Sequence, residues 1–223
     1  MKKSESVLDS AGKFSLWLED IRNAMKANGE MKVDCGECSV CCTSSYFIHI
    51  SSHEKQTLRC IPKELQFEPI GAPKGNVLLG YRKDGSCPMY ENGQCTIYEC
   101  RPQTCRKYDC RILTAAGLVE SENRPLINRK IAGWEFEFED ALSKKKFDAV
   151  RAASSFMEAY ASFFPEHFVP SNSVQKAIMA IQVYELFLGD AEIPCENGNT
   201  DFVERRVKEV MDTVEAQSPN WSR

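Results

Sequence analysis

Cysteine is the residue whose number and spacing in this chain call for a chemical explanation. Eleven are present in 223 residues, and ten fall between Cys35 and Cys110. An odd total cannot be paired completely by disulfides within one chain. The first block, residues 35–42, reads CGECSVCC. A C-x2-C interval lets one tight turn deliver two thiolates to one metal ion, and Cys41 repeats the interval that separates Cys35 from Cys38. Gly36 frees the turn and Ser39 is small. Three thiolates from one loop suit a corner set for an iron–sulfur cube, and equally a zinc site completed by a remote fourth ligand. Cys41 and Cys42 are adjacent, so their side chains tend to diverge toward different metals or different edges of one cluster.

The second block, residues 87–110, reads CPMYENGQCTIYECRPQTCRKYDC. Its candidate ligands are Cys87, Cys95, Cys100, Cys105 and Cys110. The three histidines, His49, His53 and His167, have no ligand spacing beside a C-x2-C pair, so an all-sulfur environment is expected. Soft thiolates select zinc, copper(I) or iron–sulfur over calcium or magnesium. Four thiolates around one such centre leave net negative charge, which calls for nearby donors. Arg101, Arg106, Lys107 and Arg111 fall in or beside this block although the chain is acidic overall. Arg101 and Arg106 are read as donors to sulfur or as a small anion site, with ordinary surface cations the bland alternative. Pro88 and Pro102 stiffen the backbone beside Cys87 and Arg101.

The arrangement over residues 32–111 resembles the CxxCxxCC cysteine-cluster family, also called YkgJ-type, a zinc- or iron-chelating domain. Cys35, Cys38, Cys41 and Cys42 match its first block. Cys87, followed by Pro88, opens the second, and Cys95 precedes the Ile97–Tyr98 pair. Arg101–Pro102 with Cys105–Arg106 match an RPxxCR element, and Cys110 closes the set. The resemblance implies eight ligands: Cys35, Cys38, Cys41, Cys42, Cys87, Cys95, Cys105 and Cys110. Cys60 and Cys100 lie outside those eight, which leaves Cys100 an optional extra ligand. Relatives include flagellin lysine N-methylases in longer chains, and other members are named Fe–S oxidoreductases.

These cysteines need elements to hold them. Residues 9–28 are expected to form an amphipathic helix with the stripe Phe14, Trp17, Leu18, Ile21 and Met25, capped at Asp9 or Ser10 and ended by Asn28–Gly29. Tyr46–Ile50 and Val77–Tyr81 read as short strands, with a turn at Lys83–Asp84–Gly85. Asn92–Gly93 is the stronger hairpin signal, and it would draw Cys87 and Cys95 together. Residues 112–139 read as a connector with strand or turn character around Trp134, Phe136 and Phe138. Helices are expected over 140–161, 173–188 and 201–216, separated by loops at Pro165–Pro170 and Pro194–Gly198. The first carries Leu142, Lys146, Ala149, Ala153, Phe156 and Tyr160; the second Val174, Ala177, Ile178, Ile181, Tyr184 and Leu188; the third Val203, Val207, Val210 and Val214.

The expected fold is therefore α+β and mostly helical: an irregular cysteine-rich metal-binding region with short hairpins, packed on a small C-terminal helical bundle. Its parts are an N-terminal helix (1–31), the cysteine-cluster region (32–111) and a connector with C-terminal helices (112–223), which can join the rest as one domain. With a net charge of -4 the chain has no electrostatic footprint for nucleic acid. The N-terminus lacks a secretory apolar run, and no window is long enough to span a membrane. The chain is read as cytoplasmic, where dense cysteines are metal ligands more often than disulfides.

No Gly-rich nucleotide loop and no H-E-x-x-H is present, so enzymatic activity is left open. Cys195 reads as incidental, and His49 and His53 as structural. The leading expectation is a cysteine-cluster protein holding an iron–sulfur cluster of the 4Fe-4S type, or zinc instead, with a redox or metal-handling role. The alternatives are a structural zinc module that presents its helices to a protein partner, and a group transferase like the methylating relatives.

Overall fold

The computed structural model describes residues 9–26, 33, 38–189 and 200–217. Cys35, Cys195 and the expected stops at Asn28–Gly29 and Pro194–Gly198 lie outside them. In chain order the elements are β1 (Asp9–Lys13), α1 (Phe14–Met25), β2 (Ile48–Ile50), α2 (Lys55–Cys60), β3 (Gln66–Phe67), β4 (Val77–Leu79), β5 (Tyr90–Glu91), β6 (Gln94–Cys95), α3 (Gln103–Lys107), α4 (Arg111–Ala116), α5 (Pro125–Gly133), β7 (Trp134–Glu137), α6 (Ala141–Ala159), α7 (Ser173–Val183) and α8 (Thr200–Gln217). Helix accounts for 54% and strand for 11% of the described residues, which makes the protein a mostly helical α+β fold. Among the described residues no helix is long and apolar enough to cross a membrane.

The chain divides into two units. The helical unit takes the described residues up to Lys26, Cys110–Glu120, and those from Ile131 onward. Helix α6 starts where the Asp140 carboxylate accepts from the Ser143 N–H at 2.7 Å, and α7 where Asn172 accepts from Gln175 N–H at 3.0 Å. Phe14 meets Phe136 and Phe147 edge-on at 5.1 and 5.2 Å. Val150, Met157, Ile181 and Val183 are fully withdrawn from water, and Val203, Val207, Val210 and Val214 form the buried stripe of α8.

Several expectations for this unit are corrected. Asp9 and Ser10 do not cap α1; they belong to β1, which pairs in parallel with β7, Asp9 opposite Trp134 and Lys13 opposite Glu137. The pairing slips between Ser10 and Gly12, where Gly12 takes φ +81°. A two-strand contact 125 residues apart in sequence has no local signal, and the helix stripe masked it. The 112–139 connector holds two helices, α4 and α5, as well as β7. The second expected helix ends as a tight 3-10 turn at Tyr184–Phe187, which buries Phe187 and leaves Leu188 exposed. Leu142, in the first turn of α6, is exposed as well.

The cysteine-rich unit comprises Val33, the described residues from Cys38 to Asp109, and Ser121–Lys130. Its sheet has the order β2-β4-β3, antiparallel throughout, with Ile48 opposite Leu79 and Ile50 opposite Val77. Strands β5 and β6 form the hairpin expected at Asn92–Gly93, with Tyr90 opposite Cys95. Both turn residues take positive φ, 50° and 84°, as a type I′ turn requires. The buried apolar cluster is small: Ile50, Ile61, Val77, Leu79 and Ile97.

Candidate metal centre

Cys38, Cys41, Cys42, Cys87, Cys95 and Cys105 line one cavity of about 320 Å³ in the cysteine-rich unit. The rest of its wall is mainly aromatic and apolar, with polar groups from Ser39, four tyrosines, Gln94, Thr104 and Arg101. Each sulfur is brought there by a local device.

The first loop is wound by its own hydroxyls. Thr43 donates to the Ser39 and Val40 carbonyls at 3.3 and 3.2 Å, and buried Ser44 donates to Val40 O at 2.6 Å. Those bonds tighten Cys41–Thr43 into a 3-10 turn, so adjacent Cys41 and Cys42 can both face the cavity. The loop then leans on the turn at Arg82–Ser86. Ser45 N–H donates to Gly85 O at 3.0 Å, and Cys87 N–H donates to Cys42 O at 2.7 Å. The last bond joins the two cysteine blocks directly. Gly85 sits at φ +84°, and a Cβ there would come within 2.6 Å of Ser45 Oγ, so both its conformation and the close approach require glycine.

The second loop is braced by Arg82, whose guanidinium donates to Tyr90 O (2.9 Å), Pro88 O (2.7 Å) and Glu91 Oε1 (3.2 Å). Asp84 folds the turn before it, accepting from the Ser86 hydroxyl at 2.6 Å and the Ser86 N–H at 2.9 Å. Those two bonds hold the Asp84 carboxyl below its ordinary value of 3.8. Burial pushes the Cys87 thiol above its ordinary 9.0, against the Met89 N–H and Arg82, and neighbouring Cys95 adds to the rise.

Cys105 rides on α3. The Glu54 carboxylate accepts from the Ser51 N–H at 2.9 Å and from Gln103 N–H, the first residue of α3, at 2.6 Å. Thr104 donates to His49 O at 2.7 Å, which ties α3 to β2. Across the wall, the Tyr46 and Tyr108 hydroxyls share a hydrogen bond of 3.1 Å, and the Arg124 guanidinium lies 4.0 Å over the Tyr46 ring.

The two expected arginine donors differ. Arg101 lies 4.1 Å over the Tyr98 ring, donates to Val33 O at 3.0 Å and lines the cavity. Arg106 accepts from Val33 N–H through its carbonyl, and its Nε is buried with no hydrogen-bond partner. A buried guanidinium N–H without an acceptor favours negative charge beside Cys105.

Not every predicted sulfur is in this set. Cys35 lies outside the described residues. Cys110 belongs to the helical unit, where its Sγ accepts from the Trp134 indole N–H at 3.1 Å. Cys100, the optional ligand, is bonded to Cys60 in a disulfide, so its sulfur is not offered as a thiolate. Two of the clustered cysteines are thus joined to each other. His49 lies in β2 and His53 in a turn, neither on the cavity wall.

The positioning residues Arg82, Asp84, Glu54 and Thr104 were missed by sequence reasoning. The Lys83–Asp84–Gly85 run announced the turn, but nothing local announced where the Arg82 guanidinium would reach. Among the described residues, no three His, Cys, Asp or Glu side chains are drawn together at single-ion spacing. The donor set still suits a thiophilic centre, since six thiols and no carboxylate line one space.

No curated protein and no solved structure matches the chain. Residues 34–130, somewhat under half of the chain, match the CxxCxxCC family model, described as “Putative zinc- or iron-chelating domain”, so the cysteine-rich stretch is similar to that family.

Proposed function

We propose that the cavity cysteines hold a polynuclear iron–sulfur cluster of the 4Fe-4S type, with a redox or metal-handling role. The observation that carries this reading is the size of the space six cysteines share, about 320 Å³. Zinc in a tetrathiolate site sits about 2.3 Å from each sulfur, which draws the sulfurs to roughly 4 Å of one another. Thiolates spread around a larger cavity suit the corners of a cluster better than a single ion. Cys38, Cys41, Cys42, Cys87, Cys95 and Cys105 are the proposed ligand pool, of which a cube takes four. A bound cluster would supply one-electron chemistry at a potential set by charge, hydrogen bonding and solvent access.

The chain's own residues fit that task. Tyr46, Phe47 and Met89 keep water from much of the wall. Arg101 sets a positive charge on the cavity, and Arg106, next in sequence to Cys105, has a buried Nε–H without an acceptor. Both offset thiolate charge. The backbone bond from Cys87 to Cys42 joins the two blocks directly.

The test is elemental. Protein purified without oxygen is assayed for iron, zinc and acid-labile sulfide, and its visible spectrum is recorded with and without reductant. Iron with equimolar sulfide and a bleachable band supports the cluster. Zinc without sulfide replaces it with the structural zinc reading. Cys42→Ser and Cys105→Ser are each expected to lose the bound metal, and retention of full metal content by both would overturn the ligand assignment.

A further inference from the structure

Cys60 and Cys100 stand outside the cavity, yet they are paired. Cys60 ends α2 and Cys100 ends the 3-10 turn Tyr98–Cys100. Both residues are half-buried. Both pack on the same apolar cluster as Cys87 and Cys95, around Ile50, Leu79 and Ile97.

A second feature adjoins Cys60. A groove of about 520 Å³ is lined by Lys55, Leu58, Arg59, Ile61, Pro62 and Lys63, residues that flank Cys60 on both sides in sequence. Its wall carries three cations and no carboxylate, on a chain of net charge -4. The nearest acid in sequence before it, Glu54, is engaged by the N–H groups of Ser51 and Gln103. Among the described residues, Lys63 reaches only the neutral Gln66 amide oxygen, at 3.4 Å. Such a groove raises the local concentration of small anions next to the segment that carries Cys60.

We propose that Cys60 and Cys100 form a thiol–disulfide exchange site, separate from the cavity cysteines, whose co-reactant is a low-molecular-weight disulfide bearing carboxylates. In the oxidising direction the Cys60 thiolate attacks one sulfur of RS–SR. A Cys60–S–S–R bond forms, and the RS⁻ that leaves takes up the proton Cys60 gave up. The Cys100 thiolate then attacks the Cys60 sulfur, forms the Cys60–Cys100 bond and expels the second RS⁻, which takes the Cys100 proton. Two protein thiols are oxidised to one disulfide while one RS–SR is reduced to two RSH, a two-electron, two-proton exchange. The cationic groove selects the co-reactant by charge, and the chemistry does not require the cavity to hold metal.

The experiment compares two small disulfides of opposite charge. Reduced full-length protein is exposed at low salt to oxidised glutathione or to cystamine, quenched by acid and alkylation, and mapped by mass spectrometry for the peptide linking Cys60 to Cys100. The linked peptide is expected with oxidised glutathione. The ratio of its formation rates, glutathione over cystamine, is expected to fall at least about fivefold in the triple variant Lys55→Glu, Arg59→Glu, Lys63→Glu, and to fall in the wild type as salt is raised. Absence of the linked peptide overturns the pair as an exchange site. A rate ratio indifferent to both the charge reversal and salt overturns the anionic co-reactant.

Discussion

In the helical unit, Phe14, Phe156, Met157, Ile181 and Val210 are among many side chains fully withdrawn from water, and long helices bring them together. In the cysteine-rich unit the buried apolar cluster is five residues, its strands are two or three residues long, and much of its order lies in turns. What replaces apolar area there is cross-linking: a disulfide, the Arg82 brace, the Glu54 bridge and the sulfurs around one cavity. The contrast teaches that one chain can fold one part by burial and another by joining loops at points. The two parts should therefore fail under different insults.

The largest expected effect separates them by metal. Stripping metal from the reduced protein with a strong chelator should abolish amide-exchange protection in β2, β4 and α3 and leave it in α6 and α7. Trp17 and Trp134 belong to the helical unit, so their fluorescence should hardly change. Simultaneous loss of protection in both units would break the comparison.

Core truncation comes next. Phe156→Ala should cost about 3–5 kcal/mol in urea unfolding of the helical unit without altering metal per folded chain. Leu79→Ala should cost about 2–5 kcal/mol and also lower metal retention, because Leu79 lines the cavity as well as the small core. Equal metal content in both variants would contradict the division.

The disulfide closes a sequence separation of 40 residues. Cys60→Ser should lower the stability of the cysteine-rich unit by about 2–4 kcal/mol, and a reductant should produce a similar loss in the wild type but not in the variant. Arg82→Met removes donors to two backbone carbonyls and one carboxylate, and should cost about 1–2 kcal/mol in the same unit, read as a lowered chelation or urea midpoint.

The smallest effects are in pH. Asp84 is held below 3.8 by Ser86, so its contribution to the cysteine-rich unit is present above 3.8 and is lost as pH falls through its lower folded value. Asp84→Asn should flatten that acid limb. In the helical unit, burial raises the Tyr184 hydroxyl above 10.0, with Glu185 adding to the rise and Arg22 opposing it. Its contribution is complete below 10.0 and is lost as pH climbs through the higher folded value, a limb that Tyr184→Phe should remove. Acid and alkaline stability curves recorded by a probe in each unit check both signs.

Legibility followed the range of the interactions. The valine stripe of α8 was readable because side chains three and four apart share a helix face. The β5–β6 hairpin was readable because Asn and Gly tolerate the positive φ its turn demands. The strand at Asp9–Lys13 was not, since it pairs with β7, far along the chain. The Cys60–Cys100 pairing was not readable either, because spacing alone does not tell one cysteine's partner from another's.

From its order of residues alone, this chain declares a thiophilic domain, a mostly helical remainder and the short-range turns that begin each cysteine loop. Only the folded molecule decides which sulfurs share a cavity, which two are bonded to each other, and that Arg82 and Glu54 hold the loops in place. The reason is physical. Turn and helix preferences act over a few residues and are written locally, whereas a donor and an acceptor dozens of residues apart find each other only when the intervening chain has taken its path.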